Sequence, residues 1–180
     1  MSQDLAIRRL DAGEAAARIG QLARVLIDCV EGGASVSFML PIAPATAQRF
    51  WQDVAAGVAR GARTLLVAED EHGIAGTVQL VTDLPENQPH RADVAKLLVR
   101  PGARGAGIGR RLMEAVEDAA RAQGKRVLVL DTANAAAERL YERLGWQRVG
   151  SVPDYALLPD GAPCATTIYY KRVRAGDEFA

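Results

Sequence analysis

The chain is poor in the residues that hold disulfides and metals. Its 180 residues include two cysteines and two histidines. Cys29 and Cys164 stand far apart and outside any CxxC or Cys/His spacing, which predicts two reduced thiols rather than a bridge or a zinc site. His72 and His90 have no ligand-like neighbours at helical spacing, so no metal site is expected. No apolar run approaches the ~18 residues of a membrane span. The opening MSQDLAIRRLDAGEAAA, with Asp4 early, lacks the continuous apolar stretch of a secretory leader. Charge of one sign is missing too. Lys+Arg and Asp+Glu are 22 each, which argues against a broad nucleic-acid footprint. The expectation is a cytoplasmic chain with no nucleic-acid or membrane partner, residues 1–180 forming one domain.

What is present is an ordinary soluble balance, 49% apolar and 24% charged, so a packed core is expected. LAIRRL (Leu5–Leu10) alternates like a strand. Asp11 is placed to cap one helix in which Ile19, Leu22, Leu26 and Val30 fall at helical intervals. EGGASVSFM breaks that pattern, and a second helix is predicted from Ala45 to about Arg60, ending at Gly61. ARTLLVAED and IAGTVQLVTD flank a tight turn as antiparallel strands. LPENQPH is a loop, and RADVAKLLV is the next strand. After a glycine-rich turn, Ile108, Leu112, Val116 and Ala120 line one helix face. RVLVLD predicts a buried strand, TANAAAERLYERLG a helix closed by Gly145, and WQRVGSV and TTIYYKRV the last two strands. The segment from Pro153 to Pro163 is expected to be a sizeable loop. The order is mixed α/β without repeats.

The turn RPGARGAGIGRR admits three readings. As a phosphate-binding P-loop it needs Lys and Ser/Thr after GxxxxG, where Ile108 and Gly109 stand. As a dinucleotide site it has a strand before and a helix after, with Asp131 about 20 residues on. The spacing Gly105-x-Gly107-x-Gly109 is not GxGxxG, however, and too little chain follows for a doubly wound sheet. The third reading is a pyrophosphate cradle. Glycines keep side chains out while the N–H groups of Gly105, Ala106, Gly107, Ile108, Gly109 and Arg110 converge at a helix N-terminus, with Arg104 adding charge.

LLVRPGARGAGIGRRLM resembles the acetyl-coenzyme A signature of the GCN5-related N-acetyltransferases (GNAT), V-x-P-x-x-R-G-x-G-x-G. LDTANAAAERLYERLGWQRVG resembles that family's second motif, N-x-x-A-x-x-x-Y-x-x-x-G-[FW]. Together they cover Leu97 to Gly150. EGGASVSFM, RADVAKLLV, VPDYALLPDG and TTIYYK are most similar to tabtoxin-resistance acetyltransferases. The resemblance implies the GNAT fold, with a mixed, mostly antiparallel central sheet flanked by helices and a splayed pair of parallel strands. It implies acetyl-CoA as cofactor and transfer of an acetyl group to an amine. Backbone groups of Leu98 and Val99 would hold the pantetheine arm, the Leu98 N–H facing the thioester oxygen.

Tyr141 matches the motif tyrosine and is the candidate acid for the departing thiolate; the alternative is a core tyrosine with its hydroxyl bonded elsewhere. Asp131 and Asp93 are the candidate bases. The alternatives are a helix cap for Asp131 and a surface charge for Asp93, which strand alternation puts on the face of Ala95 and Leu97. Asn134 matches the motif position that contacts coenzyme A, or caps the helix it precedes. Lys96, on the opposite strand face, reads as structural. No cysteine lies in either motif, which favours direct transfer in a ternary complex. Ser35, Ser37, Phe38, Trp51 and Tyr155 are expected at the acceptor pocket. The acceptor is expected to be a small-molecule amine, an amino-acid-like toxin or antibiotic such as tabtoxinine-β-lactam if that likeness carries function. A protein or peptide amine and a non-catalytic CoA-binding module are the rival readings, and a homodimer is the assembly considered.

Overall fold

The computed structural model describes residues 5–173; Met1–Asp4, part of the segment read against a leader, and residues 174–180 lie outside the described residues. The chain runs β1 (Ala6–Leu10), α1 (Ala12–Ala17), α2 (Ile19–Glu31), α3 (Pro44–Ala59), β2 (Arg63–Asp70), β3 (Gly73–Val81), β4 (Arg91–Val99) and a 3-10 turn at Pro101–Ala103. It continues through α4 (Ile108–Ala122), β5 (Val127–Thr132), α5 (Ala135–Arg143), β6 (Gln147–Leu157) and β7 (Pro163–Arg172). The strands form one sheet in the order β1-β2-β3-β4-β5-β7-β6. Among the described residues, only β4 and β5 pair in parallel. A single parallel pair is not a doubly wound sheet, which removes the dinucleotide reading.

Both sheet faces are covered, and β2 shows how the sequence allows it. Its run of apolar residues alternates sides. Leu66 and Ala68 pack with Ile108, Leu112, Met113 and Val116 of α4, while Leu65 and Val67 pack with Leu22, Leu26 and Trp51 of α2 and α3. Asp11 caps α1 as expected, in a reciprocal box. The Glu14 N–H donates to Asp11 Oδ1 at 2.8 Å, and the Asp11 N–H donates to Glu14 Oε2 at 3.1 Å. The one helix expected after Asp11 is two. The Arg18 N–H closes on the Ala15 carbonyl, and the Arg18 side chain pairs with Glu69 on β2, so the axis breaks there.

Two further departures lie in strands. The expected loop Pro153–Pro163 is mostly strand: β6 runs on to Leu157 and β7 begins at Pro163, leaving a short turn. Pro153 is tolerated because β6 is an edge strand and because its register shifts between Val152 and Ala156, where Asp154 takes φ +50°. In β4, Ala95 pairs with Gln79 but Leu98 pairs with Thr77, so β4 carries one extra residue, and Lys96 there has φ +53°. A bulge reverses every later side chain. Leu97 therefore packs toward the α4 side and Leu98 toward α1–α3. Asp93, Ala95 and Leu97 do not share one face.

A buried charge ties the second half together. Glu117 of α4, 4% exposed, accepts from Trp146 Nε1 at 2.9 Å and from Lys171 Nζ at 2.7 Å. Lys171 also donates to the Leu144 carbonyl at 2.6 Å, so α4, β7 and the α5–β6 turn meet at one carboxylate. Lys171→Met leaves that carboxylate buried without its main counter-charge. We expect a loss of about 3 kcal/mol in urea unfolding; an unchanged midpoint would show the pair to be dispensable.

Candidate active site

β4 and β5 pair only over Arg91–Asp93 and Val127–Val129, and then part. A cleft of ≈ 1230 Å³ opens in the gap and runs from the glycine turn to the segment between α2 and α3. Leu97, Leu98 and Val99 form one wall, Leu130, Asp131 and Thr132 the other. Leu98 and Val99 thus stand on the part of β4 that has lost its parallel neighbour. The Val99 carbonyl already accepts from Cys29 Sγ at 3.4 Å and Arg104 Nε at 3.2 Å.

At one end of the cleft lies the glycine turn. Gly105 and Gly107 have φ +84° and +75°, which other residues adopt only with strain, and a Cβ on either would meet nothing within 4 Å. Gly109 has a different reason to be glycine: a Cβ there would come 3.2 Å from Leu140 Cδ2, so it lets α4 approach α5. Gly107 is the N-cap of α4 and brings no side-chain cap. The N–H groups of Gly105, Ala106, Gly107, Ile108, Gly109 and Arg110 have no hydrogen-bond partner among the described residues. Unpartnered donors at the positive end of a four-turn helix are the groups an anion would need. Arg104, Gly105, Gly107, Ile108, Gly109 and Arg110 line the cleft, whereas Ala106 is not among its lining residues. Arg110 is exposed and donates to Glu114 at 2.7 Å.

Midway along, Tyr141 projects from α5. Its ring is buried with Trp146 and Tyr169, at centroid distances of 6.0 and 5.9 Å. Its hydroxyl reaches the cleft and makes no hydrogen bond to a described residue. Burial first, and then the negative charge of Asp131, raise its pKa well above the ordinary tyrosine value. The phenol therefore keeps its proton at neutral pH, more firmly than an ordinary tyrosine. Tyr169 helps to place α5, its hydroxyl lying 3.1 Å from Glu138 Oε2 and 3.0 Å from Glu142 Oε1.

Of the two candidate carboxylates, one borders the cleft. Asp131 lies on its wall and accepts from Thr166 Oγ1 at 2.7 Å. It does not cap α5. Asn134 does, taking the N–H groups of Ala136 and Ala137 at 2.8 and 3.1 Å, and it also lines the cleft. Asp93 stands where β4 is still paired on both sides, is bonded to Arg91, and is not among the lining residues. Lys96, which alternation placed on the structural face, is turned into the cleft by the bulge. Its Nζ donates to Ser37 Oγ at 3.1 Å and lies 5.8 Å from the Phe50 ring centre. A register defect leaves no mark in strand periodicity, so only the fold reveals this residue.

The other end is roofed. Ser35, Ser37, Phe38 and Met39 face Tyr155, Leu157, Cys164 and Thr166 across the cleft. Ser35 Oγ donates to the Leu157 carbonyl at 3.3 Å and the Leu40 N–H to the Pro159 carbonyl at 2.9 Å, which fastens the α2–α3 segment to the β6–β7 hairpin. Ser35, Phe38 and Tyr155 thus lie together, whereas Trp51 is fully buried in the α1–α3 core. Cys29 is also buried, and desolvation raises its pKa despite the nearby Arg104, which leaves an unreactive thiol.

This geometry has counterparts among known proteins. An uncharacterised N-acetyltransferase from the hisH–hisA intergenic region of Azospirillum brasilense is 39% identical over 106 residues, 58% of this chain and 61% of that protein. The chain therefore spans less than two thirds of that relative's length. A phosphinothricin acetyltransferase of Sinorhizobium meliloti, solved in complex with AcCoA, superposes with a TM-score of 0.76 over 98% of this chain and 92% of that one, at 19% identity. A ribosomal-protein-alanine N-acetyltransferase of Brucella melitensis superposes with a TM-score of 0.76 over 93% and 99%, at 23% identity. At such identities the superpositions speak for the fold alone. The profile of the Acetyltransferase (GNAT) family matches residues 35–146, most of the cleft's lining included. With the splayed β4–β5 pair and the uncapped α4 terminus in place, the chain belongs to the GNAT acetyltransferase family.

Proposed function

We infer that the protein transfers an acetyl group from acetyl-CoA to the amine of a small molecule, in a ternary complex. The observation that carries this reading is the set of six unpartnered N–H groups at the head of α4, opening into the same cleft as the Tyr141 hydroxyl. The donor set fits a pyrophosphate. Main-chain amides, a helix N-terminus and Arg104 supply its charge complement, and the glycines leave the space clear. Leu98 and Val99 would hold the extended arm along the unpaired stretch of β4. Bound there, acetyl-CoA supplies an activated thioester.

The chain's own residues supply the rest. Asp131, held by Thr166, orients the incoming amine and accepts its proton through water. Tyr141, kept protonated by burial, gives its proton to the departing sulfur. Asn134 contributes both as the cap of α5 and on the cofactor side of the cleft. The roof formed by Ser35, Leu40, Leu157 and Pro159 supports a small acceptor over a peptide, which needs an open groove. The amino-acid-like toxin remains the acceptor class that the motif resemblance favours.

Tyr141→Phe should lower kcat on the order of 10²–10⁴-fold while acetyl-CoA affinity stays within a few-fold. Equal loss of both would assign the residue to packing. Asp131→Asn should lower kcat/KM by about 10²-fold and Asp93→Asn by little, in thiol-release assays over a panel of amines; the reverse order would move the base to Asp93. Gly107→Val should weaken acetyl-CoA binding about tenfold or more in calorimetry, because the left-handed backbone costs a branched residue about 1–2 kcal/mol and its side chain enters the cradle. Retained affinity would remove the pyrophosphate assignment. Rising pH frees the amine, and the Tyr141 proton is lost only well above ~10. The kcat/KM profile should therefore climb through the acceptor's amine pKa without a falling limb below pH ~10.

A further inference from the structure

We propose that Lys96 is the anchor for a carboxylate on the acceptor, so that the enzyme takes amines bearing an adjacent acid, α-amino acids and their analogues, in preference to simple amines. This rests on the acetyltransferase reading above and names the acceptor class within it. Four observations carry it. Lys96 lines the roofed end of the cleft, away from Arg104 and Arg110 at the glycine turn. It has no carboxylate within ion-pairing distance among the described residues; its Nζ has only the Ser37 hydroxyl and the Phe50 ring. Asp131, the one carboxylate on the cleft wall, acts electrostatically on Lys96 from across the gap. And Lys96 holds φ +53°, a conformation in which glycine would sit without strain.

Taken together, the cleft lining presents a positive group, Lys96, and a negative group, Asp131, along with Phe38, Met39, Tyr155 and Leu157. That arrangement is complementary to a zwitterion with a side chain: the amine toward Asp131 and the acyl donor, the carboxylate toward Lys96. Desolvation lowers the Lys96 pKa, with Asp131 opposing and Arg63 adding to the effect. A partly buried ammonium with no anionic partner is unfavourable, and a bound carboxylate relieves it.

The test uses matched pairs on the CoA-loaded protein: L-leucine with isopentylamine, and L-phenylalanine with phenethylamine. Calorimetry gives binding, and thiol release with acetyl-CoA gives turnover. The acid of each pair should bind about 10- to 100-fold more tightly than its amine, the range of a charge-assisted hydrogen bond. Lys96→Met should bring the two affinities of each pair together, and Lys96→Arg should restore part of the gap. Lys96→Gly relieves the backbone, so it should also lose the preference while holding or raising Tm. Equal binding of acid and amine by the native protein overturns the proposal, as does a preference that survives in Lys96→Met and Lys96→Gly. Preferential binding of the acids without acetyl transfer supports the anchor and removes the acetyltransferase reading. Acetylation of the amines alone does the opposite.

Discussion

The parting of β4 from β5 is the constraint on which the rest depends. Two parallel strands that begin in register would ordinarily stay paired, because each unpaired N–H and C=O forfeits a ladder bond. Here pairing stops after Asp93 and Val129, and β4 then takes on an extra residue at Lys96. Beyond Asp93, β4 has no strand partner on its β5 side. Exposed strand edge in a protein's interior is costly unless something extended completes it. The cleft therefore opens along a stretch of strand that has no neighbour on that side.

The head of α4 follows the same logic. Asp11 and Asn134 satisfy first-turn N–H groups of α1 and α5, whereas α2, α3 and α4 have no side-chain cap. α4 has glycine at that position in the left-handed conformation and no side-chain cap, and its first-turn N–H groups have no partner among the described residues. The stability forgone at this end is offset elsewhere on the helix, by its apolar face against β2–β4 and by Glu117 gripping Trp146 and Lys171.

α5 is fixed by side chains rather than by length. It has nine residues, too few for independent stability, yet it carries Tyr141. Asn134 caps it, Gly109 lets α4 approach Leu140, and Tyr169 engages Glu138 and Glu142. These contacts press the Tyr141 ring into the core and leave its hydroxyl at the cleft. Burial and the charge of Asp131 then act in the same direction on its proton. Positioning and acidity have one cause.

The local, periodic features were legible in the sequence. Strand alternation, helix faces, the Asp11 cap and the glycine turn with its arginine are encoded within a few residues of one another, where spacing and side-chain type suffice. So was the order of elements, because buried strands and amphipathic helices differ in period. The rest was decided by neighbours distant in sequence. Arg18 breaks its helix where it meets Glu69; Pro153 is accommodated because β6 has a free edge; and Asp131 rather than Asp93 borders the cleft because the strands part between them. Lys96 moved from the structural face to the cleft through one unpaired residue in β4. A bulge is a property of how two strands match, and neither strand carries it alone.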